Sequence, residues 1–149
     1  MINLKTLGEI RQDNDVSQEK MAKIVGVKRS TLSKWEIGLT VPSLRNVFDY
    51  ARYFNFTIDY MLGLNHDRKR AEYNEYDSQL IANNLRALRL NANLTLAKLS
   101  KQLHVSYAAI ARYEHNKSNP SLNVVYRYCK TFKISFHELC TTKILLKEK

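Results

Sequence analysis

The chain has 149 residues, with 24 lysines and arginines against 14 aspartates and glutamates, so that its formal net charge is +10. A hydrophobic share of 44% excludes a disordered chain, two cysteines exclude a disulfide framework, and four glycines with two prolines argue against a loop-rich β fold. No signal peptide or membrane-spanning segment is recognisable, which predicts a basic, mostly helical protein of the cytoplasm. The basic surplus favours a polyanionic partner, because each phosphate that a lysine or arginine neutralises releases a counterion.

Apolar residues recur at the helical spacing of three and four along residues 1–64, and this spacing predicts five helices. Ser17, Ser43 and Thr57 belong to the residue types that cap helix N-termini, and they mark the starts of the second, fourth and fifth helices. Gly26 and Gly38 mark the ends of the second and third. The residues expected to face inward are Leu4, Leu7, Ile10, Met21, Ala22, Val25, Leu32, Trp35, Val47, Tyr50, Ala51 and Phe54.

The chain contains an internal repeat with an offset of 78 residues. Pro42-Ser43-Leu44 returns as Pro120-Ser121-Leu122, and an ungapped match runs from Leu7 to about Leu62. Each copy is long enough to bury its own core, so the repeat predicts two copies of one fold rather than a solenoid. Two helices joined by a tight turn inside a five-helix unit form a helix-turn-helix. The predicted fold class is therefore all-α, with two tandem five-helix helix-turn-helix domains.

This repeat sets the domain boundaries at residues 1–64 and 81–149. Residues 65–80 have no copy elsewhere and contain neither glycine nor proline, which predicts a helical or packed connector rather than a flexible tether. In the second copy Thr95, Ser106, Ser121 and Ser135 stand at the helix starts. His104 and Asn116 replace the two turn glycines and are expected to adopt the left-handed conformation that those glycines favour.

The first copy resembles the lambda-repressor-like family, the Cro and xenobiotic-response-element type of helix-turn-helix. The resemblance rests on Ser17-Gln18-Glu19-Lys20-Met21-Ala22, on the run from Gly26-Val27 through Trp35-Glu36 to Gly38, and on Pro42-Ser43-Leu44. It covers residues 4–64, and it extends to residues 82–142 through the repeat. The resemblance implies that the third helix of each copy enters the major groove of double-stranded DNA.

In the first copy, the resemblance implies that Arg29, Ser30 and Lys34 face base edges, where arginine and lysine suit the acceptors of guanine. It places Gln18 at a phosphate, beside the free N–H groups at the start of the second helix. Further contacts are expected along the third helix and the loop after it. The full set for the first copy is Gln18, Lys28, Arg29, Ser30, Thr31, Ser33, Lys34 and Thr40. The alternative interpretation of the lysines and arginine is a solvated charged face.

The second copy has fewer hydrogen-bonding groups on its third helix, and Leu96 stands where Gln18 stands in the first. Residues 81–149 nevertheless carry 12 basic and 3 acidic residues, and no acidic residue lies between Asp77 and Glu114. We therefore expect the second copy mostly to grip the DNA backbone while the first reads bases, and the alternative is a degenerate domain kept for its fold. The candidate residues of the second copy are Ser106, Tyr107, Ala108, Arg112, Asn116 and Lys117.

Other chemistries find little support in the sequence. Cys129, His137 and Cys140 lack the paired spacing of a zinc site, and the repeat aligns the two cysteines with Ala51 and Leu62, which predicts buried thiols without a metal. No nucleophile–base spacing or phosphate-binding glycine loop indicates an enzyme, and neither a cofactor nor a small-molecule ligand is expected.

The sequence thus predicts a sequence-specific DNA-binding protein, a transcriptional regulator of a bacterium, phage or mobile element. Two domains on one chain would act as a built-in pseudo-dimer, so we expect a monomer or weak homodimer associated with the nucleoid and no membrane contact. Two alternatives stay open: an accessory factor for plasmid or phage transfer or replication, and an antitoxin or protein-interaction module that acts through the second domain.

Overall fold

The computed structural model describes residues 1–148, and this part of the chain forms ten α-helices and no β-sheet. The all-α prediction is therefore confirmed. The helices divide between two compact units, Met1–Tyr73 and a second unit that starts at Asn74. The helices are α1 (Lys5–Asp13), α2 (Gln18–Val25), α3 (Arg29–Glu36), α4 (Leu44–Phe54), α5 (Ile58–Met61), α6 (Ser78–Asn91), α7 (Leu96–Leu103), α8 (Tyr107–Glu114), α9 (Leu122–Phe132) and α10 (Phe136–Thr141).

In the first unit, hydroxyl side chains begin the helices at the expected positions. Ser17 accepts a hydrogen bond from the Lys20 N–H at 3.0 Å, Ser43 from Asn46 at 3.1 Å, and Thr57 from Tyr60 at 3.1 Å. The core of this unit is built from the inward faces of its five helices. Its fully buried members are Leu7, Met21, Leu32, Val47, Tyr50, Ala51, Ile58, Met61 and Leu62.

In the second unit, Thr95, Ser106, Ser121 and Ser135 each accept a hydrogen bond from an N–H in the first turn of the following helix. The core is again made by the inward helix faces, and the two cysteines belong to it as expected. Its most buried members are Leu85, Leu99, Leu103, Ile110, Leu122, Val125, Tyr128, Phe136, Leu139 and Cys140.

The left-handed backbone positions repeat with the same offset as the sequence. Gly26 and His104 close α2 and α7 with φ values of 75° and 54°, and Gly38 and Asn116 follow α3 and α8 with 78° and 55°. The expectation that the replacements keep the turn is confirmed. A residue with a Cβ atom is strained there by about 1 to 2 kcal/mol, so His104 carries a cost that Gly26 does not.

The connector corresponds only partly to the expectation of a packed segment that leads into the second copy. Its first part folds back on the first unit instead, where Ala71 donates a hydrogen bond to the Asn55 carbonyl at 2.8 Å and Arg70 forms an isolated bridge with Phe56. Tyr73 packs edge-on against Phe48. The first compact unit therefore extends to Tyr73 rather than ending at residue 64.

Candidate nucleic-acid interface

Helix α3 buries one face and presents the other to solvent. Leu32, Trp35 and Glu36 are buried, because residues three and four apart lie on one side of a helix. The opposite side carries the residues that the sequence analysis predicts to contact DNA. Of these, Lys28, Arg29, Ser30 and Lys34 are exposed, while Thr31 and Ser33 are half-buried. The structure thus leaves all six predicted residues of this helix and its N-cap at least partly accessible.

The start of α3 is charged in a way that does not favour the isolated helix. Lys28 occupies the N-cap position and Arg29 the first turn. An ammonium group cannot accept hydrogen bonds from the free N–H groups of the helix, and positive charge at this end opposes the helix dipole, at a cost of about 0.3 to 1 kcal/mol. An anion placed there would be attracted by both the N–H groups and the two side chains.

A buried ion pair holds α3 against the rest of the first unit. The Arg11 guanidinium donates to both carboxylate oxygens of Glu36, with Nε–Oε2 and Nη2–Oε1 distances of 2.9 and 2.8 Å, and its Nη1 donates to the Val16 carbonyl at 2.8 Å. The Tyr50 hydroxyl donates to Glu36 Oε2 at 2.9 Å. Burial, followed by the Glu36 carboxylate, raises the pKa of Tyr50, so this hydroxyl remains a donor. Side chains of α1 and α4 thereby fix the C-terminal turn of α3.

Gln18 lies at the first position of α2, as the sequence predicted, and is half-buried. Its side-chain amide donates to Glu36 Oε1 at 3.1 Å, which connects α2 to the same carboxylate. This contact orients the side chain at the start of the helix. The expected contact between Gln18 and a phosphate stays a prediction.

Among the described residues, the second unit repeats the ion pair without the two additional donors to the carboxylate. Arg89 donates to Glu114, with Nε–Oε2 and Nη2–Oε1 distances of 2.7 and 2.9 Å, and to the Leu94 carbonyl at 3.0 Å. Leu96 replaces the glutamine. The Tyr128 hydroxyl is buried and has no hydrogen-bond partner among the described residues, and burial, followed by nearby Glu114, raises its pKa.

The sequence interpretation assigned no role to these ion-paired residues, although a signal was present. Arginine and glutamate are identical in both copies at Arg11/Arg89 and Glu36/Glu114, while the residues exposed on the third helices differ. The signal is the opposite charge of the two matched positions. A match alone does not indicate burial, because the exposed lysines at Lys20/Lys98 and Lys23/Lys101 match as well.

Helix α8 presents a different surface from α3. Ser106 caps its start by accepting from the Ala109 N–H at 3.2 Å, and Ile110 and Glu114 are buried. The outward residues are Tyr107, Ala108 and Arg112, all exposed, with Ala111 half-buried beside them. Tyr107 is 60% exposed, which is high for an aromatic side chain. The candidates on α8 and its cap are therefore all accessible, and Tyr107 and Ala108 make this surface less polar than that of α3.

The loops after the third helices also differ. In the first unit Ile37, Leu39 and Val41 are 62%, 68% and 51% exposed, with exposed Thr40 between the last two. In the second unit Lys117 is exposed, and the Asn116 amide donates to Ser78 Oγ at 3.2 Å. The first loop is thus aliphatic, whereas the second is polar and basic, a composition that suits contact with phosphates.

Within residues 1–148, no group of three histidine, cysteine, aspartate or glutamate side chains is arranged to hold a metal ion. None of the described helices combines the length and apolar character needed to cross a membrane.

Comparison with known proteins places both units in one family. The helix-turn-helix family matches the chain twice, over residues 7–61 and 85–139. The HTH-type transcriptional activator BcrR of Enterococcus faecalis is 32% identical over 56 residues, which is 38% of this chain. The matched part spans only 28% of that relative. No solved structure matches the chain.

Proposed function

Because the chain belongs to the Cro/C1-type helix-turn-helix family, we propose that it binds double-stranded DNA sequence-specifically and regulates transcription. The family is one of DNA-binding regulators rather than enzymes. The similarity to a transcriptional activator of Enterococcus faecalis supports the same class of function over its 56 aligned residues. We further propose a bacterial, phage or mobile-element gene as the regulated target.

The observation that carries this proposal is the composition of the exposed side of α3. Arg29, Ser30 and Lys34 are hydrogen-bonding side chains on one face, and an α-helix of this size fits the major groove. Lys28 and Arg29 also place two positive charges at the N-terminus of α3, where the helix dipole disfavours positive charge in the free protein. An anion that lies against this end of the helix would offset that cost.

The two units support a built-in pseudo-dimer. Each has its own core and its own third helix, and the side chains on α3 and α8 differ. We propose that one chain occupies two unequal half-sites, so the DNA sequence need not be palindromic. In this arrangement α3 reads bases, and the second unit, with its larger basic surplus, contributes most of the backbone contacts.

The direct test is selection of bound duplexes from random DNA, followed by competition assays with Arg29→Ala. We expect this variant to lose about 1 to 3 kcal/mol of specific binding and to relax the choice at one base pair, because the bidentate contact with a guanine is removed. Arg52→Ala is the matched control, since Arg52 is an exposed arginine on α4 rather than on α3. Unchanged affinity and unchanged base preference in Arg29→Ala would contradict the proposal.

A protein-interaction role for the second unit is the second candidate. The exposed apolar side chains of Tyr107, Leu145 and Leu146 favour it. Arg112→Ala and Lys117→Ala separate the two possibilities in the full-length protein. Weaker DNA binding in these variants would support DNA contact by the second unit. Unchanged DNA binding would favour a protein-interaction role for it.

A further inference from the structure

Three outward positions of the third helix change their chemistry between the two units. In α3 they hold arginine, serine and serine at Arg29, Ser30 and Ser33. The offset of 78 residues places Tyr107, Ala108 and Ala111 at the same positions of α8. Residues 107 and 111 are four apart and residues 108 and 111 three apart, so the three side chains form one continuous apolar strip. The strip begins at the first residue of α8, and the N-terminal part of this helix is the part that reaches base edges in this type of DNA complex.

An alanine side chain cannot accept or donate a hydrogen bond, so it cannot read the polar edges of guanine, adenine or cytosine. The major groove nevertheless presents one apolar group, the C5-methyl of thymine. Alanine and aromatic side chains bind that methyl group by apolar contact. Tyr107 exposes 60% of its surface in the free protein, and contact with a methyl group would remove part of that apolar area from water.

The charges around the strip favour DNA over a protein as its occupant. Arg112 is exposed one turn after Ala108, at the position that Lys34 holds in the first unit. Glu114, the acidic residue of α8, is buried in its ion pair with Arg89 and does not face outward. The sequence from residue 78 to 113 contains no acidic residue. A phosphate-rich partner therefore meets the exposed Arg112 beside the apolar strip and no exposed acidic side chain on α8.

Resting on the proposed DNA-binding function, we propose that α8 reads thymine through its methyl group. Ala108 and Ala111 form the methyl contact, Tyr107 covers it from the helix start, and Arg112 holds the adjacent backbone or base. The second unit is thus selective for thymine-containing half-sites, and it would accept 5-methylcytosine where it rejects cytosine.

The test is a scan in which each thymine of a selected duplex is replaced in turn by uracil, which removes only the methyl group. For the full-length protein we expect at least one position where uracil weakens binding about fourfold, the value of one buried methyl group. At that position 5-methylcytosine should bind more tightly than cytosine. The double variant Ala108→Ser/Ala111→Ser should lose this sensitivity, because a hydroxyl replaces the apolar contact, while Ala92→Ser, an exposed alanine at the end of α6, should keep it.

The outcomes separate this inference from the function on which it rests. Sequence-selective binding without any uracil-sensitive position that depends on Ala108 and Ala111 overturns methyl reading and leaves the proposed function intact. Sequence-selective binding that no variant of α8 alters also overturns it and assigns the strip to a protein partner. Absence of any sequence selection by the full-length protein overturns both proposals. A thermal unfolding curve of each variant shows whether it retains the fold.

Discussion

At the scale of single residues, the buried carboxylates of the two units differ in the number of side chains that donate hydrogen bonds to them. Glu36 receives hydrogen bonds from Arg11, Gln18 and Tyr50, whereas Glu114 receives them from Arg89. A buried carboxylate that loses a donor keeps its desolvation penalty without the compensating bond. The hydroxyl groups of the two equivalent tyrosines should therefore differ in their contribution to stability.

We expect Tyr50→Phe to lower the free energy of unfolding of the first unit by about 1.5 to 3 kcal/mol, the typical value of a hydrogen bond to a charged group. Tyr128→Phe is the matched control, because it deletes a buried hydroxyl that has no partner within residues 1–148. That change should leave stability within about 0.5 kcal/mol of the parent or raise it. Urea unfolding of the full-length protein, followed by circular dichroism, measures both. Equal losses in the two variants would mean that the Tyr50–Glu36 bond adds no stability.

At the scale of elements, Gly26 and His104 occupy the same position in the turn between the second and third helices of each unit, so each residue can be substituted by the other. The position is left-handed in both units, and a Cβ atom at Gly26 meets nothing within 4 Å. The cost of a side chain there comes from the backbone alone. We expect Gly26→His to destabilise the first unit and His104→Gly to stabilise the second, each by about 1 kcal/mol, after the larger unfolded-state entropy of glycine is included. Thermal unfolding that shifts both variants in the same direction would contradict this account.

The loop between α8 and α9 supports a second prediction at this scale. If Lys117 lies at a phosphate, Lys117→Ala should weaken binding similarly on all DNA sequences and reduce the slope of log affinity against log salt by about one unit. Lys143→Ala, which removes the same charge from an exposed position outside the loop, serves as the control. Equal changes of slope in the two variants would indicate an effect of net charge rather than a phosphate contact.

Local signals predicted most of the helices and their turns, but not the contacts between distant segments. Capping serines and left-handed glycines act within a few residues, so Ser17 and Gly26 were readable from the sequence. Asn84 was not, because its buried amide donates to the carbonyls of Leu139 and Thr142, more than 50 residues away. The return of residues 70–73 to the first unit was missed for the same reason. At the candidate interface the sequence identified the exposed side of α3, while the Arg11–Glu36 pair that holds this helix needed the structure.

At the scale of the whole molecule, the charge is unevenly divided between two units that each have a core. Residues 1–73 carry 12 basic and 9 acidic residues, and residues 74–149 carry 12 and 5. Under the proposed function, non-specific attraction to phosphates would reside mainly in the second unit, whereas α3, the more polar of the two proposed reading helices, lies in the first. Linking two such units on one chain would make the second docking step intramolecular.

We accordingly expect one full-length chain to bind one duplex site, and a fragment of residues 1–73 to keep its base preference with an affinity about 10²- to 10⁴-fold lower. The fragment ends at residue 73 because Ala71 and Tyr73 belong to the first unit. Titrations of both proteins on the same duplex, with the mass of each complex measured in solution, give the result. Equal affinities would show that the second unit does not contact the DNA.

The difference between α3 and α8 has a consequence for gene control. A symmetric dimer looks the same from both ends of its operator, so it cannot distinguish upstream from downstream. A single chain with arginine and serine on one reading helix, and tyrosine and alanine on the other, would lie on its site in one orientation only. Its site would then have a defined orientation relative to the neighbouring promoter. Reversing the site at a fixed distance from a reporter gene should therefore change the transcriptional response, although the affinity for the DNA stays the same.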